Sequence, residues 1–189
     1  MKRYETVVVG VSAGGLKALS VLLGCLPADY PLPVLVVQHL LEGSDGFLAE
    51  ALDSSLRIRV REAVDKLQIE AGCVYLAPAG YHLLVEEGRT LSLSVDPRVN
   101  YSRPSVDVLF ESAAYVYGPG CIGVVLTGAN GDGSAGLARI AEAGGLTVVQ
   151  DPEEAEYTAM PKAAIEAVNA DYILPLEGIG SLLGRLAQS

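Results

Sequence analysis

The sequence predicts an α/β protein: a three-layer, doubly wound, mostly parallel sheet with an inserted antiparallel hairpin. Three observations predict it. Val/Leu/Ile-rich runs alternate with helix-periodic segments along the chain. These runs are near-continuous rather than alternating, the pattern of strands covered on both faces. Between residues 72 and 95 the pattern breaks into short apolar runs joined by turn residues, as antiparallel neighbours require.

The elements follow in order. Residues 5–10 read as a strand, and 14–26 as a helix with Leu16, Leu19, Leu22 and Leu23 on one face. Residues 33–38 form a second buried strand and 45–54 a helix. In 72–95, Val74-Tyr75-Leu76, Leu83-Leu84-Val85 and Leu91-Ser92-Leu93 read as an antiparallel hairpin or meander in or beside the main sheet. A polar, Pro-containing loop spans 96–104, and 105–117 is helical from Ser105 or Asp107. Strands at 121–127 and 146–150 flank an Ala-rich helix at 133–143. Helices at 161–169 and 178–187 flank a short strand at 171–174. There is no internal repeat, and no linker long enough to separate two domains, so one domain over 1–189 is expected.

Composition narrows the function classes. Half of the 189 residues are hydrophobic, enough for a sizeable core. No apolar run approaches the roughly 20 residues of a membrane span, and Glu5 in the first strand argues against a signal peptide. The net charge of −10 argues against nucleic acid or an anionic membrane as partner. Cys25, Cys73 and Cys121 are an odd, widely spaced set beside apolar runs. They read as buried free thiols of a cytoplasmic protein. No His/Cys cluster has metal-ligand spacing, so neither a metal nor another cofactor is expected.

Ligands of open α/β sheets bind beyond the carboxyl ends of the strands. Gly10-Val11-Ser12-Ala13-Gly14 follows the first strand and has the form of a nucleophile elbow. His39 follows the second strand, and Thr127-Gly128-Ala129-Asn130-Gly131-Asp132-Gly133 follows the strand at 121–127. Each residue alone has a structural explanation: Ser12 and Asp132 as helix caps, His39 as a hydrogen-bonder. Their convergence on one sheet edge points to a triad. Ser12 is the nucleophile, His39 the base through Nε2, and Asp132 the carboxylate accepting from Nδ1. Backbone N–H groups around Ala13 and Gly14 form the expected oxyanion hole. The order Ser, His, Asp departs from that of an α/β-hydrolase.

Other residues read two ways. His82 lines the site or flanks a turn. Arg103 before Pro104-Ser105 anchors its loop or recognises substrate. The acidic run from Asp151 to Glu156 solvates a helix start.

Together these segments resemble the catalytic domain of the CheB protein-glutamate methylesterase family of bacterial chemotaxis. The segments that carry the resemblance are Gly10-Val11-Ser12-Ala13-Gly14-Gly15, Gln38-His39, Tyr75-Leu76-Ala77-Pro78, Arg103-Pro104-Ser105-Val106-Asp107, Leu126-Thr127-Gly128 with Gly131-Asp132-Gly133, and Met160-Pro161. The resemblance implies a serine hydrolase that demethylates γ-glutamyl methyl esters of methyl-accepting chemotaxis receptors and also deamidates glutamines. Its triad matches Ser12, His39 and Asp132; beside that match, Arg103, Thr127 and Gly128 are read with Ala13 and Gly14 as substrate-binding or oxyanion positions. Three departures stand out. The family's receiver domain is absent from this stretch, so a separate regulatory partner is open. Ala13 stands where a hydroxyl residue often follows the nucleophile, and Ala129 where a methionine often stands; both alter the site's shape.

Two rivals differ in class. One is an inactive, receptor-binding adaptor of the same fold. The other is a nucleotide-binding oxidoreductase, which lacks the middle Gly of the dinucleotide fingerprint because Ser12 stands there.

Overall fold

The computed structural model describes residues 3–40, 43 and 46–188. Its centre is a seven-stranded, wholly parallel sheet. The strands are β1 (Thr6–Val11), β2 (Val34–Gln38), β3 (Arg59–Glu62), β4 (Cys73–Leu76), β7 (Cys121–Val125), β8 (Leu146–Gln150) and β9 (Tyr172–Leu174). Their order across the sheet is β3-β4-β2-β1-β7-β8-β9. The chain starts in the middle, winds outward through β2, and returns beside β1 as β7. The crevice where the order reverses lies between β1 and β7, the place where such sheets bind ligands.

Burial follows the apolar runs. All of β1, β2, β7 and β8 is buried, as strands covered on both faces must be. One core packs α1 (Gly15–Gly24), α2 (Phe47–Ser55) and α6 (Leu176–Leu186) on one face. The other packs α3 (Val106–Tyr117), α4 (Ser134–Glu142) and α5 (Ala159–Ala167) on the opposite face.

The expected antiparallel hairpin is present, but it is shorter than the 72–95 stretch assigned to it. Cys73–Leu76 is a parallel strand of the main sheet, paired with β2 and β3. Of the strands among the described residues, only β5 (His82–Val85) and β6 (Leu91–Ser94) are antiparallel, and they form a separate two-stranded sheet. The apolar run at 74–76 is too short to reveal its partner. A strand also lies where none is expected: β3, with sequence Arg-Val-Arg-Glu, buries only Val60. It is an edge strand, so its charged side chains stay in water and hide the apolar signal. The first helix turns its Ala18, Leu19, Leu22 and Leu23 inward, while Leu16 is half exposed. Cys73 and Cys121 are buried free thiols, but Cys25 is exposed. The predicted start of the second helix, residue 45, lies outside the described residues.

Gly10 sets how closely α3 approaches the sheet. A Cβ there would stand 2.2 Å from Val106 Cγ1 and 3.2 Å from Val106 Cβ. Val106 is branched and held in the first turn of α3, so it has little freedom to move. Gly10→Ala is expected to cost about 1–3 kcal/mol, the range for overpacking a tight core. Urea unfolding of the variant checks it: the midpoint should fall with the slope unchanged.

Candidate active site

Three neighbouring strands deliver the three predicted side chains. Ser12 follows β1, His39 follows β2, and Asp132 lies in the loop between β7 and α4. The backbones are stitched together at this edge. Ser12 N–H donates to Thr127 O at 3.0 Å and His39 N–H to Val11 O at 3.1 Å. The Gln38 amide, itself buried, donates to the carbonyls of Ser12 (2.9 Å) and His39 (3.0 Å). Gly14 takes the left-handed conformation, φ 78°, as the turn into α1 requires.

Asp132 is the hub. Its Oδ2 accepts from His39 Nε2 and from Val106 N–H, both at 2.7 Å. Its Oδ1 accepts from Asn100 Nδ2 (2.8 Å), Ser105 Oγ (2.8 Å) and Asp107 N–H (3.2 Å). The carboxylate therefore sits on the N-terminus of α3, where unpaired N–H groups and the helix dipole favour negative charge. Burial alone would raise its pKa. The hydrogen bonds from His39, Asn100, Val106 and Ser105 outweigh burial and hold it below the ordinary value. Asp107 does the reciprocal job at α4, accepting from Gly133 N–H (3.0 Å) and Gly136 N–H (2.6 Å). Its pKa is raised, chiefly by burial and also by the nearby Asp132 charge.

The ring geometry reverses one expectation. His39 presents Nε2, not Nδ1, to Asp132. Neighbouring strands are about 4.8 Å apart, so the loops after β2 and β7 start roughly 10 Å from each other across β1. The nitrogen farther from the backbone is the one that reaches across. Nδ1 is left on the inner side of the ring, 3.1 Å from Asn130 Nδ2. Among the described residues the Ser12 hydroxyl makes no hydrogen bond to the ring. Both side chains line one cavity of about 640 Å³, together with Arg98, Tyr101, Arg103 and Asn130. A second opening, of about 470 Å³ and largely apolar, also reaches Ser12 and is walled by Leu16, Leu40 and Leu48. A cavity of similar size, about 660 Å³, lies by the start of β1 and β2 beside Tyr4, Glu5 and Arg89, away from this chemistry.

The remaining predicted residues separate by their hydrogen bonds. Thr127 N–H donates to Gln150 Oε1 at 2.8 Å, and Gly128 N–H to Tyr157 O at 3.1 Å. Thr127 Oγ1 donates to Ala13 O at 3.0 Å and so braces the serine turn. The N–H groups of Ala13 and Gly14, by contrast, have no acceptor among the described residues. Arg103 lines the cavity while its Nη1 donates to the carbonyls of Val95 (2.8 Å) and Asp96 (3.2 Å). His82 is buried and structural: its Nδ1 accepts from Ser105 N–H (3.2 Å) and its Nε2 donates to Pro97 O (3.0 Å). In the acidic run, Glu154 accepts from Leu176 N–H and caps α6.

Sequence reasoning missed Asn100 and Asn130. Asn130 is visible only as a polar residue two positions before Asp132, a spacing typical of a side chain that folds back onto the backbone. Nothing in the sequence joins Asn100 to Asp132. Among the described residues no three His, Cys, Asp or Glu side chains gather as metal ligands do, and no helix is long and apolar enough to cross a membrane.

Comparison with known proteins is consistent along the chain. The family model described as CheB methylesterase matches residues 7–183. A Leptospira interrogans protein, provisionally named protein-glutamate methylesterase/protein-glutamine glutaminase, is 50% identical over 186 residues, covering 98% of this chain and 96% of the relative. The protein-glutamate methylesterase FrzG of Myxococcus xanthus is 39% identical over 180 residues, covering 95% of this chain and 54% of the relative. The crystal structure of the Thermotoga maritima CheB methylesterase catalytic domain superposes with a TM-score of 0.93 at 36% identity, covering 97% of this chain and 98% of that one.

Proposed function

The chain belongs to the CheB methylesterase family, and from that membership we propose that it hydrolyses γ-glutamyl methyl esters of methyl-accepting chemotaxis receptors, with Ser12, His39 and Asp132 as its catalytic triad. The observation that carries the triad is the 2.7 Å His39–Asp132 pair opening into the same cavity as Ser12, beyond three adjacent parallel strands.

The chemistry follows from the groups present. His39 Nδ1, the nitrogen not bound to Asp132, takes the Ser12 proton as Oγ adds to the ester carbonyl. The developing oxyanion is held by the N–H groups of Ala13 and Gly14, while Thr127 and Gly128 shape the turn beside them. The imidazolium, steadied by the Asp132 carboxylate, protonates the leaving methoxide, and methanol departs. Water then adds to the glutamyl–Ser12 ester, again losing its proton to His39. The products are the receptor's free glutamate carboxylate and regenerated Ser12. Glutamine follows the same path with ammonia as the leaving group. Methoxide leaves more readily than an amine, so ester turnover should exceed deamidation.

In this proposal residues 1–189 act as one catalytic domain. The enzyme works in the cytoplasm, in keeping with three free cysteines, and a separate regulatory partner is left open. Methanol release from a methylated receptor tests it. Catalytic turnover is the expected result. Saturable receptor binding without methanol would instead establish the inactive adaptor.

A further inference from the structure

The Asn130 carboxamide is held at both ends. Its Oδ1 accepts the Asp132 N–H at 3.0 Å, which turns Nδ2 toward the His39 ring, 3.1 Å from Nδ1. The opposite ring nitrogen, Nε2, faces Asp132 Oδ2 at 2.7 Å. An ionised carboxylate only accepts, so Nε2 carries the proton and Nδ1 carries the ring's one in-plane lone pair. A carboxamide NH2 only donates, so Asn130 engages that lone pair. One lone pair serves one such donor well. Ser12 and Asn130 wall the same cavity as the ring.

We propose that Asn130 is a positioning residue that guards the base: it occupies His39 Nδ1 in the resting site, so Ser12 gains its base only when the amide is displaced. The inference rests on the acyl-serine reading above and adds a step before it. No covalent bond changes in this step. An N–H···N hydrogen bond from Asn130 is exchanged for an O–H···N bond from Ser12. The guard holds the ring in the tautomer that catalysis needs, yet leaves the hydroxyl unactivated until substrate enters the cavity. The cost is one neutral hydrogen bond of ordinary strength, equivalent to roughly a two- to tenfold change in rate.

The test is the second-order rate at which a small fluorophosphonate labels Ser12 in the whole chain. Asn130→Ala should label roughly two- to tenfold faster than wild type, the rate equivalent of that one hydrogen bond. Asn130→Asp should label more slowly, because a carboxylate facing Nδ1 binds an N–H and favours an imidazolium with no lone pair to offer. A merely structural amide would slow both variants. Long-range proton–nitrogen NMR of the imidazole gives the second readout. Nε2 should carry the proton in wild type and in Asn130→Ala, with only the Nδ1 resonance moving between them. Unchanged or slower labelling by Asn130→Ala overturns the proposal, as does a wild-type ring protonated on Nδ1. The second measurement uses wild type alone, so it stands even if a variant misfolds. Wild-type labelling no faster than that of Ser12→Ala would defeat the acyl-serine reading itself, and is distinguishable because the ring's protonation is read separately.

Discussion

Ser12→Ala should lose about a million-fold in kcat for methanol release, the scale seen when a serine hydrolase loses its nucleophile. The protein should remain folded. The Ser12 side chain is half-buried, and its hydroxyl holds no hydrogen bond to the ring among the described residues. The turn is instead fixed by main-chain and neighbouring groups: Ser12 N–H on Thr127 O, and Gln38 on Ser12 O. Removing one oxygen should therefore shift unfolding by no more than about 0.5 kcal/mol, as for substitutions away from the core. Methanol assays and urea melts on the same preparation check the two halves. Lost activity together with lost stability would mean that the hydroxyl is structural.

Asp132→Asn carries the second large effect, and it should strike activity and stability together. The carboxylate receives donors on both oxygens: His39 and Val106 N–H on one, Asn100, Ser105 and Asp107 N–H on the other. A carboxamide replaces one acceptor with an NH2, so whichever way it turns, donors face donors. Each buried donor left unpaired costs about 1–3 kcal/mol. The ring also loses the group that fixes its proton on Nε2, and activity should fall about ten-thousand-fold, as when a triad carboxylate is made an amide. The pH dependence follows from the direction of the Asp132 shift. Because folding lowers its pKa, its contribution to stability is fully present above the unfolded value of about 3.9 and is lost as pH falls through the folded value. Asp107, raised by burial, works in the opposite direction. The difference between wild type and Asp132→Asn, rather than the wild-type slope, therefore reports the Asp132 charge together with the part of the Asp107 shift that this charge causes. That difference should shrink below about pH 4, the unfolded carboxylate range. Melts from pH 7 down to acid check it.

Much of this molecule is legible in its sequence because buried parallel strands leave a strong mark. The Val-rich runs at β1, β2, β7 and β8 identify the centre of the sheet, and the rule that ligands sit beyond strand ends then selects Ser12, His39 and Asp132. The edges are less readable. β3 hides because its charged side chains face water, and β4 is too short for its pairing to show in its pattern. The site's inner wiring is also hidden. Asp132 reads as a cap for its own helix, α4, yet it caps α3, while Asp107 of α3 caps α4. Such an exchange depends on the angle at which two helices meet, and spacing along one chain does not encode it. The ring nitrogen that meets Asp132 is likewise set by the span across β1, and so emerges only from the fold.

The proposed chemistry depends on activation of the Ser12 hydroxyl by His39 and Asp132. Its most direct test is to react the protein with a fluorophosphonate, digest it, and locate the adduct by mass spectrometry. The adduct should sit on Ser12 alone and form far more slowly in Asp132→Asn. An adduct on another residue, or hydrolysis of methyl esters that continues with Ser12 unmodified, would contradict the account.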